Sequence, residues 1–268
     1  MTALTLEGKS VLVTGGAGFI GSHLVDRLIP EGPKEIVVVD NFFLGDEANL
    51  EEARRAYPEL KVYRLDASNL AAMTDIVESH DTNVVFNLAV IPLPTSLSYP
   101  EWTVQTNIGI AVTFCELARR NLIETLVHCS SSEAYGTAQY IPMDEKHALD
   151  AITPYAASKS ASDAILESYV QTFNIRTRVV RPFNNFGPRQ NPHSYAGVIP
   201  LIIRKLYQGT PVEIHGDGEQ TRDFTFVRDT ADALVRTFKS LQCEGKLINV
   251  ASGVETSINE LVSQIARV

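Results

Sequence analysis

The sequence predicts an α/β fold, in which a doubly wound parallel sheet carries helices on both faces and a smaller C-terminal lobe follows. Two observations support this prediction. Short runs of β-branched and aliphatic residues alternate with longer amphipathic segments, which is the pattern of parallel strands joined by right-handed helical crossovers. Beyond residue 181, five prolines between positions 182 and 211 interrupt the alternation, which indicates a change of architecture.

The predicted elements follow one another in a regular order. Strands are expected at residues 9–14, 35–40, 61–65, 83–88, 125–129 and 176–181. The helices between them are expected at residues 18–29, 69–79, 104–120 and 155–173. The proline-interrupted stretch holds one clear helix, near residues 198–208. We therefore assign residues 1–181 to the main sheet and residues 182–268 mainly to the smaller lobe, with some segments returning to the main sheet.

Length and composition fit a soluble globular chain. Its 268 residues, 44% of them hydrophobic, can bury a full core, and a net charge of −9 argues against unspecific binding to nucleic acid or to an anionic membrane. No stretch approaches the ~20 apolar residues of a transmembrane helix. The three cysteines lie far apart, in no metal-like spacing, as expected of reduced thiols. We expect a cytoplasmic protein without a metal site.

A glycine-rich turn follows the first predicted strand and opens the first predicted helix. Residues 16–21 read Gly-Ala-Gly-Phe-Ile-Gly, which matches the G-x-G-x-x-G fingerprint of dinucleotide-binding sites. The glycines permit a tight turn and let backbone N–H groups approach a pyrophosphate at the helix N-terminus. The motif in this context predicts a Rossmann-type sheet and a cofactor site that includes Gly15, Gly18, Phe19, Ile20 and Gly21.

An acidic residue ends the second predicted strand. Asp40 lies 19 residues after Gly21, where a carboxylate accepts hydrogen bonds from the adenosine ribose and repels a 2′-phosphate. This arrangement favours NAD over NADP, although a turn-initiating aspartate is the simpler reading of the same residue. Further cofactor contacts are expected from residues near the ends of the other strands, for several of which capping or packing is almost as good an explanation: Asn41, Asp66, Ala67, Leu88, Ala89 and Asn107.

A tyrosine and a lysine share one face of a predicted helix. Tyr155 and Lys159 are four residues apart, and a triple serine at residues 130–132 lies upstream. A cation beside a phenol lowers the phenol pKa, so Tyr155 is a candidate general base for a sugar hydroxyl that loses hydride to a nicotinamide. The plainer reading is a surface pair that happens to share a helix face. A non-catalytic NAD-sensing protein would be expected to lack one of the two residues.

These motifs resemble, in order, those of the extended short-chain dehydrogenase/reductase family, and within it the nucleotide-sugar epimerases and dehydratases. The resemblance spans residues 10–263 and includes residues 181–184 (Arg-Pro-Phe-Asn), 187–190 (Gly-Pro-Arg-Gln) and 216–224. It implies an NAD-binding Rossmann domain at residues 1–181 with catalytic Ser, Tyr and Lys, and a substrate-binding lobe mainly at residues 182–268. Relatives usually continue for several dozen residues, so this lobe is expected to be incomplete. The resemblance also implies a homodimer built from the helices at 104–120 and 155–173.

The resemblance assigns a role to each motif residue. Ser131 would hydrogen-bond the C4 oxygen of the sugar, Tyr155 would remove the C4 hydroxyl proton, and Lys159 would lower the tyrosine pKa and hold the nicotinamide ribose. Phe183 would form a wall beside the nicotinamide. The substrate, a nucleotide-diphosphate sugar and above all a UDP-sugar, would contact Ser131, Ser132, Asn184, Val198 and Arg222. For Arg189 a phosphate contact and an ordinary surface position are equally open.

The fate of a 4-keto sugar depends on the residue two places after Ser131. Family members that eliminate water or carbon dioxide resemble this chain in having glutamate there, at Glu133, which could remove the C5 proton. Residues 135–147 also resemble the bacterial UDP-N-acetylglucosamine 4,6-dehydratases. We therefore expect a 4,6-dehydratase, with a UDP-glucose-type 4-epimerase as the first alternative and a UDP-glucuronate decarboxylase as the second. A loop carboxylate without a catalytic role is the simpler reading of Glu133.

Overall fold

The computed structural model describes residues 3–192 and 197–267. The strands are β1 (Ser10–Thr14), β2 (Glu35–Asp40), β3 (Lys61–Arg64), β4 (Val84–Asn87), β5 (Thr125–Cys129), β6 (Thr177–Pro182), β7 (Asn184–Phe186), β8 (Thr221–Phe226), β9 (Leu247–Val250) and β10 (Glu255–Ser257). The helices are α1 (Phe19–Leu28), α2 (Glu51–Ala56), α3 (Leu70–Ser79), α4 (Leu93–Ser98), α5 (Pro100–Arg119), α6 (Pro154–Phe173), α7 (Val198–Tyr207), α8 (Val227–Lys239) and α9 (Ile258–Ile265). Within the described ranges, no helix is both long enough and apolar enough to cross a membrane.

A seven-stranded parallel sheet in the order β3-β2-β1-β4-β5-β6-β9 forms the centre of the molecule. The strand order reverses beside β1, because Val11 pairs with Ile36 of β2 on one side and with Val84 of β4 on the other. This reversal defines a doubly wound sheet and confirms the predicted Rossmann-type fold. A second, three-stranded sheet has the order β10-β8-β7.

Both faces of the main sheet are buried, which explains why its strands are apolar at successive positions. Val11 and Val13 contribute to a core shared with α1 and α8, whereas Leu12 points to a second core shared with α3, α5 and α6. The same alternation holds in β2, where Val37 and Val39 face the second core. The two cores fix the sheet between its helices and so hold the carboxyl ends of the strands in one row.

The predicted strands and crossover helices agree with the structure to within a few residues. The largest difference is α5, which starts at Pro100 instead of residue 104, because proline is well tolerated in the first turn of a helix. Beyond residue 211 the sequence analysis specified no elements. There α8 packs against α1 on one face of the main sheet, and β9 pairs with β6 as its seventh strand.

Candidate active site

A cavity of about 500 Å³ opens at the carboxyl edge of the main sheet, where the strand order reverses beside β1. This is the position at which doubly wound sheets bind ligands. Asn107, Val198 and Arg222 are not among its lining residues. The predicted site residues that do line it are Gly15, Gly18, Phe19, Ile20, Gly21, Asp40, Asn41, Asp66, Ala67, Leu88, Ala89, Ser131, Ser132, Glu133, Tyr155, Lys159, Phe183, Asn184 and Arg189.

The turn between β1 and α1 has a backbone that only glycine fits. Gly15 has φ +66°, and a Cβ there would lie 2.9 Å from the backbone nitrogen of Ala89. A Cβ on Gly21 would overlap the carbonyl oxygen of Gly15. The turn therefore leaves a backbone cradle at the N-terminus of α1, which fits the pyrophosphate of a dinucleotide.

Asp40 fastens two segments of the cavity wall. Its carboxylate accepts hydrogen bonds from the backbone N–H of Ala17 at 3.0 Å and of Phe42 at 2.8 Å. Burial raises the pKa of Asp40, and these two hydrogen bonds oppose the rise. Asp40 therefore both forms a turn and lines the cavity, and its carboxylate fits the ribose end of NAD.

The three residues predicted to form the catalytic centre converge on one wall of the cavity. Ser131 caps a short 3₁₀ turn by accepting the backbone N–H of Glu133 at 3.2 Å, and its hydroxyl also hydrogen-bonds the Tyr155 phenol. Lys159 is buried one helical turn beyond Tyr155 and donates from Nζ to the carbonyl oxygen of Cys129 at 2.7 Å. Strand β5 and helix α6 position these groups together.

The predicted lowering of the Tyr155 pKa by Lys159 is wrong for this structure. Burial raises the pKa of Tyr155, the hydrogen bond from Ser131 opposes the rise, and the negative charge of Glu133 is among the groups that add to it. Lys159 directs its ammonium to the Cys129 carbonyl, and burial lowers its own pKa. In this structure, therefore, burial outweighs any lowering of the Tyr155 pKa by the neighbouring ammonium.

A buried carboxylate that the sequence analysis did not identify links the segments of this centre. Asp163 accepts hydrogen bonds from the Ser130 hydroxyl at 2.7 Å and from Nη2 and Nε of Arg181 at 2.7 and 3.0 Å. Ser130 precedes Ser131 in the chain, and Asp163 follows Lys159 by one helical turn. The four-residue spacing from Lys159 is the signal that would have identified Asp163.

Glu133 presents an uncommitted carboxylate to the cavity. The residue is half-buried, lines the cavity and acts electrostatically on Tyr155. Within residues 3–192 and 197–267, no hydrogen bond or ion pair engages its side chain, although its backbone N–H bonds Ser131. A carboxylate in this state is free to exchange a proton with a molecule in the cavity.

The remaining predicted substrate residues are dispersed. Asn184 lines the cavity and donates from Nδ2 to the carbonyl oxygen of Asp223 at 3.3 Å. Arg222 is exposed and donates to the carbonyl of its neighbour Thr221, and Val198 begins α7 with 38% of its surface exposed. For Arg222 and Val198, therefore, contact with the nucleotide stays a prediction.

Two other predicted residues have structural partners. The Asn107 side chain accepts the backbone N–H of Ile91 at 2.8 Å and donates to the Ile91 carbonyl at 3.0 Å, so it anchors the loop after β4. Arg189 donates to Asp26 of α1 and to Glu52 of α2, each at 2.7 Å. A plain surface position does not describe this ion-paired side chain, while its contact with phosphate stays a prediction.

Comparison with known proteins identifies the family. The sequence pattern of the NAD dependent epimerase/dehydratase family matches residues 11–251. A UDP-glucose 4-epimerase of Mycolicibacterium smegmatis is 36% identical over 259 residues, which cover 95% of this chain and 81% of the relative. The chain belongs to the NAD dependent epimerase/dehydratase family, and its cofactor is NAD, as the glycine turn and Asp40 predict.

Solved structures of two different activities share the fold. A UDP-glucose 4-epimerase of Thermotoga maritima, solved with UDP-glucose, has a TM-score of 0.89 and 30% identity and covers 96% of this chain and 82% of its own. A dTDP-glucose 4,6-dehydratase of Streptomyces venezuelae, solved with NAD, has a TM-score of 0.88 and 28% identity and covers 96% of this chain and 80% of its own. The resemblance to nucleotide-sugar enzymes of the extended short-chain dehydrogenase/reductase family is confirmed.

Proposed function

We propose that the chain is an NAD-dependent nucleotide-sugar 4,6-dehydratase, which converts a UDP-sugar into its 4-keto-6-deoxy derivative. The observation that carries the proposal is Glu133, whose carboxylate lines the cavity beside Tyr155 without a hydrogen bond or ion pair from the described residues. A 4-epimerase needs no such base, because it only removes hydride and returns it to the opposite face of the sugar.

The first half of the reaction is oxidation at C4. Tyr155 takes the proton of the C4 hydroxyl, and Ser131 steadies the oxygen by hydrogen bonding as its charge changes. NAD, when bound, would supply the hydride acceptor of this half and the hydride donor of the second half. Lys159 is buried one helical turn beyond Tyr155 and would hold the nicotinamide ribose, as the family resemblance implies. The roles of these residues rest on their convergence at the cavity wall.

The second half is elimination across C5 and C6. The C4 ketone makes the C5 proton acidic, and Glu133 removes it as hydroxide leaves C6. Ser132 lines the cavity next to Glu133 and is placed to donate to the departing oxygen, which leaves as water. After hydride reaches C6, Glu133 returns a proton to C5, and the C4 ketone is retained. The proton that Tyr155 took from the C4 hydroxyl replaces the one that Ser132 gave to the departing oxygen, so the net change is the loss of one water.

A 4-epimerase is the second candidate. The relatives named UDP-glucose 4-epimerase favour it, since they include the M. smegmatis and T. maritima proteins. The oxidising residues Ser131, Tyr155 and Lys159 would serve either reaction. A decarboxylase of a UDP-uronic acid ranks third, because loss of carbon dioxide follows the same oxidation.

Product analysis separates the three. The purified protein is incubated separately with UDP-N-acetylglucosamine, UDP-glucose and UDP-glucuronate, and the products are identified by mass and NMR. Loss of one water with a 4-keto-6-deoxy product supports the dehydratase, whereas an unchanged mass with inversion at C4 would replace it by the epimerase. Glu133→Gln is expected to abolish dehydration while C4 oxidation, seen as NADH formation, continues. Glu78→Gln, a carboxylate change at an exposed position of α3, is the matched control and is expected to behave as wild type.

We further propose that the protein is cytoplasmic and forms a homodimer that buries α5 and α6. Residues 1–181 would form the cofactor domain, and residues 182–268 would form mainly the substrate lobe. Support for the dimer comes from the packing of α5 against α6 and from the 48% exposure of Phe173 near the end of α6. Phe173→Glu is expected to yield a monomer in sedimentation velocity. A dimer that survives this change would exclude the α5–α6 surface.

A further inference from the structure

Three aromatic side chains form a row from the lip of the cavity to the surface of α5. The Phe43 and Trp102 rings meet edge to face, with centroids 5.1 Å apart and an interplanar angle of 89°. Tyr99 meets the other side of Trp102 at 6.5 Å and 83°. Edge-to-face contacts of this kind are favourable beyond the area they bury. All three rings nevertheless stay partly exposed, at 39%, 40% and 58%, so the row has apolar surface to offer.

The row lies at the adenosine half of the cavity. Phe43 follows β2 and lines the cavity with Asn41 and Leu44, on the side of β1 away from Tyr155. In doubly wound sheets the glycine turn takes the pyrophosphate and the end of β2 takes the adenosine ribose. Trp102 lies in the first turn of α5, which follows β4. The Phe43–Trp102 contact therefore joins segments from strands that flank β1 on opposite sides.

The loop that carries Phe43 is fixed at its root. Phe42 has φ +58°, donates its backbone N–H to Asp40 at 2.8 Å, and has the Arg64 guanidinium 4.6 Å from its ring centroid. A Cβ on Gly45 would come within 2.8 Å of the Asp40 carboxylate, so the loop returns tightly against its own start. The start of the loop is therefore held in place, and Phe43 lies partly exposed where it lines the cavity.

We propose that Phe43 and Trp102 form an aromatic strap that covers the adenosine half of bound NAD and slows its release. The strap makes the cofactor a resident group of the enzyme. Retention serves the reaction cycle given under Proposed function, since NADH formed in the oxidation must stay to reduce C6. The binding measurements below use no sugar nucleotide, so they fail or succeed independently of that function.

The single tryptophan of the chain reports on the strap directly. Trp102 is the only tryptophan, so tryptophan emission arises from this position alone. In protein freed of nucleotide, NAD and ADP-ribose are expected to change the Trp102 emission to the same extent, because both carry the adenosine half. Nicotinamide mononucleotide, which lacks that half, is expected to leave the emission unchanged. An equal response to nicotinamide mononucleotide, or no response to ADP-ribose, would overturn the placement.

Variants test retention. Phe43→Ala is expected to raise the dissociation rate of NADH roughly threefold to tenfold, the size of effect that loss of one aromatic contact gives. Trp102→Phe, which keeps a ring at the contact, is expected to stay near the wild-type rate, and Trp102→Ala to approach the rate of Phe43→Ala. Tyr207→Ala removes an aromatic ring that is 92% exposed on α7 and serves as the matched control. NADH fluorescence follows all four variants.

Two outcomes would refute the strap. One is a wild-type dissociation rate in both Phe43→Ala and Trp102→Ala. The other is a change of sedimentation coefficient in these variants with unaltered NADH release, which would assign the aromatic row to contact with a second copy of the chain. A melting temperature near wild type in each variant is required for the comparison, and Phe43→Leu provides a further variant should Phe43→Ala fold poorly.

Discussion

In the function that we propose, Glu133 determines which reaction follows C4 oxidation. Its carboxylate lines the cavity, and its negative charge adds to the rise in the Tyr155 pKa. In the proposed reaction, the Glu133 carboxylate, which is needed after the oxidation, therefore makes Tyr155 harder to deprotonate. Yet Tyr155 must act as the base during the oxidation. A positive charge in the cavity, which the oxidised nicotinamide carries, offsets this conflict at the moment when the phenol must release its proton.

This coupling gives a pH-dependence. A phenol acts as a base only above its pKa, so the rate of C4 oxidation rises with pH through the pKa of Tyr155. Removal of the negative charge in Glu133→Gln lowers that pKa, and the rising limb is expected to move to lower pH. Single-turnover NADH formation measured across pH checks this, with Glu78→Gln as the control. A limb that stays in place or moves to higher pH would show that Glu133 does not act on Tyr155.

At the residue scale, the spacing of residues in the sequence identified those site residues that lie together in a single helix or turn. The glycine turn, Asp40 and the Tyr155–Lys159 pair are local patterns, and each lines the cavity. The partners of Arg189 lie 163 and 137 residues away in sequence, at Asp26 and Glu52, so no local pattern reveals them. The direction of the Lys159 ammonium likewise depends on the carbonyl of Cys129, which belongs to another element.

At the scale of elements, α5 and α6 illustrate how two crossover helices are tied together. Glu116 of α5 accepts a hydrogen bond from the Tyr169 phenol of α6 at 2.9 Å and from Arg119 at 2.7 Å. The hydrogen bond from Arg119 is the main cause that lowers the pKa of Glu116 to about 2. A carboxylate with a depressed pKa stabilises the fold above its ordinary pKa and loses that effect as pH falls.

Glu116→Gln is therefore expected to lower the free energy of unfolding at neutral pH, by on the order of 1 kcal/mol, since the group is partly exposed and screened. The difference from wild type is expected to shrink as pH falls from about 4.5 to about 2. Urea unfolding at a series of pH values measures both quantities. A difference that is independent of pH in this window would mean that the ionised carboxylate contributes nothing to the α5–α6 contact.

The segment after β7 depends on α1 and its neighbour α2. The Pro188 carbonyl accepts a hydrogen bond from His23 Nε2 at 3.0 Å, and Arg189 is only 13% exposed between Asp26 and Glu52. Gln190 follows and lines the cavity. The ion pairs therefore hold a portion of the substrate-side wall against the cofactor domain.

Arg189→Ala is expected to destabilise the protein by about 1–3 kcal/mol, because it leaves the Asp26 carboxylate without its partner. Glu52→Gln, a change at a side chain that is 66% exposed, is expected to cost less than about 1 kcal/mol. Urea unfolding measures both variants. If Arg189→Ala left stability unchanged but weakened binding of a nucleoside diphosphate, the phosphate contact suggested by the family resemblance would be correct and the structural role would not.

The elements differ in how far the sequence defines them. Except for the edge strand β3, strands β1 to β6 are buried at nearly every position, and helices separate them, so their order and approximate bounds can be predicted. Strand β9 has only four residues, and although α8 is amphipathic, its sequence does not reveal that its apolar face packs against α1. The packing of α8 and β9 against the main sheet depends on contacts between distant segments, which a short stretch of sequence does not reveal.

At the scale of the whole molecule, the sheet sets what the site can do. Strand β2, on one side of β1, ends in Asp40 and leads into the loop of Phe43, while strand β5, on the other side, leads into Ser131 and Glu133. One cavity therefore joins the proposed adenosine half to the proposed reacting half. An enzyme that oxidises and then reduces the same molecule requires both.

In the proposed function, Glu133 removes a proton from C5 of the sugar after C4 has been oxidised. The most direct measurement is turnover of the accepted UDP-sugar in deuterium oxide, with NMR and mass analysis of the product. We predict that the wild-type enzyme gives a 4-keto-6-deoxy product with one deuterium at C5 and that Glu133→Gln gives no such product. A wild-type product inverted at C4 and free of deuterium at C5 would contradict it.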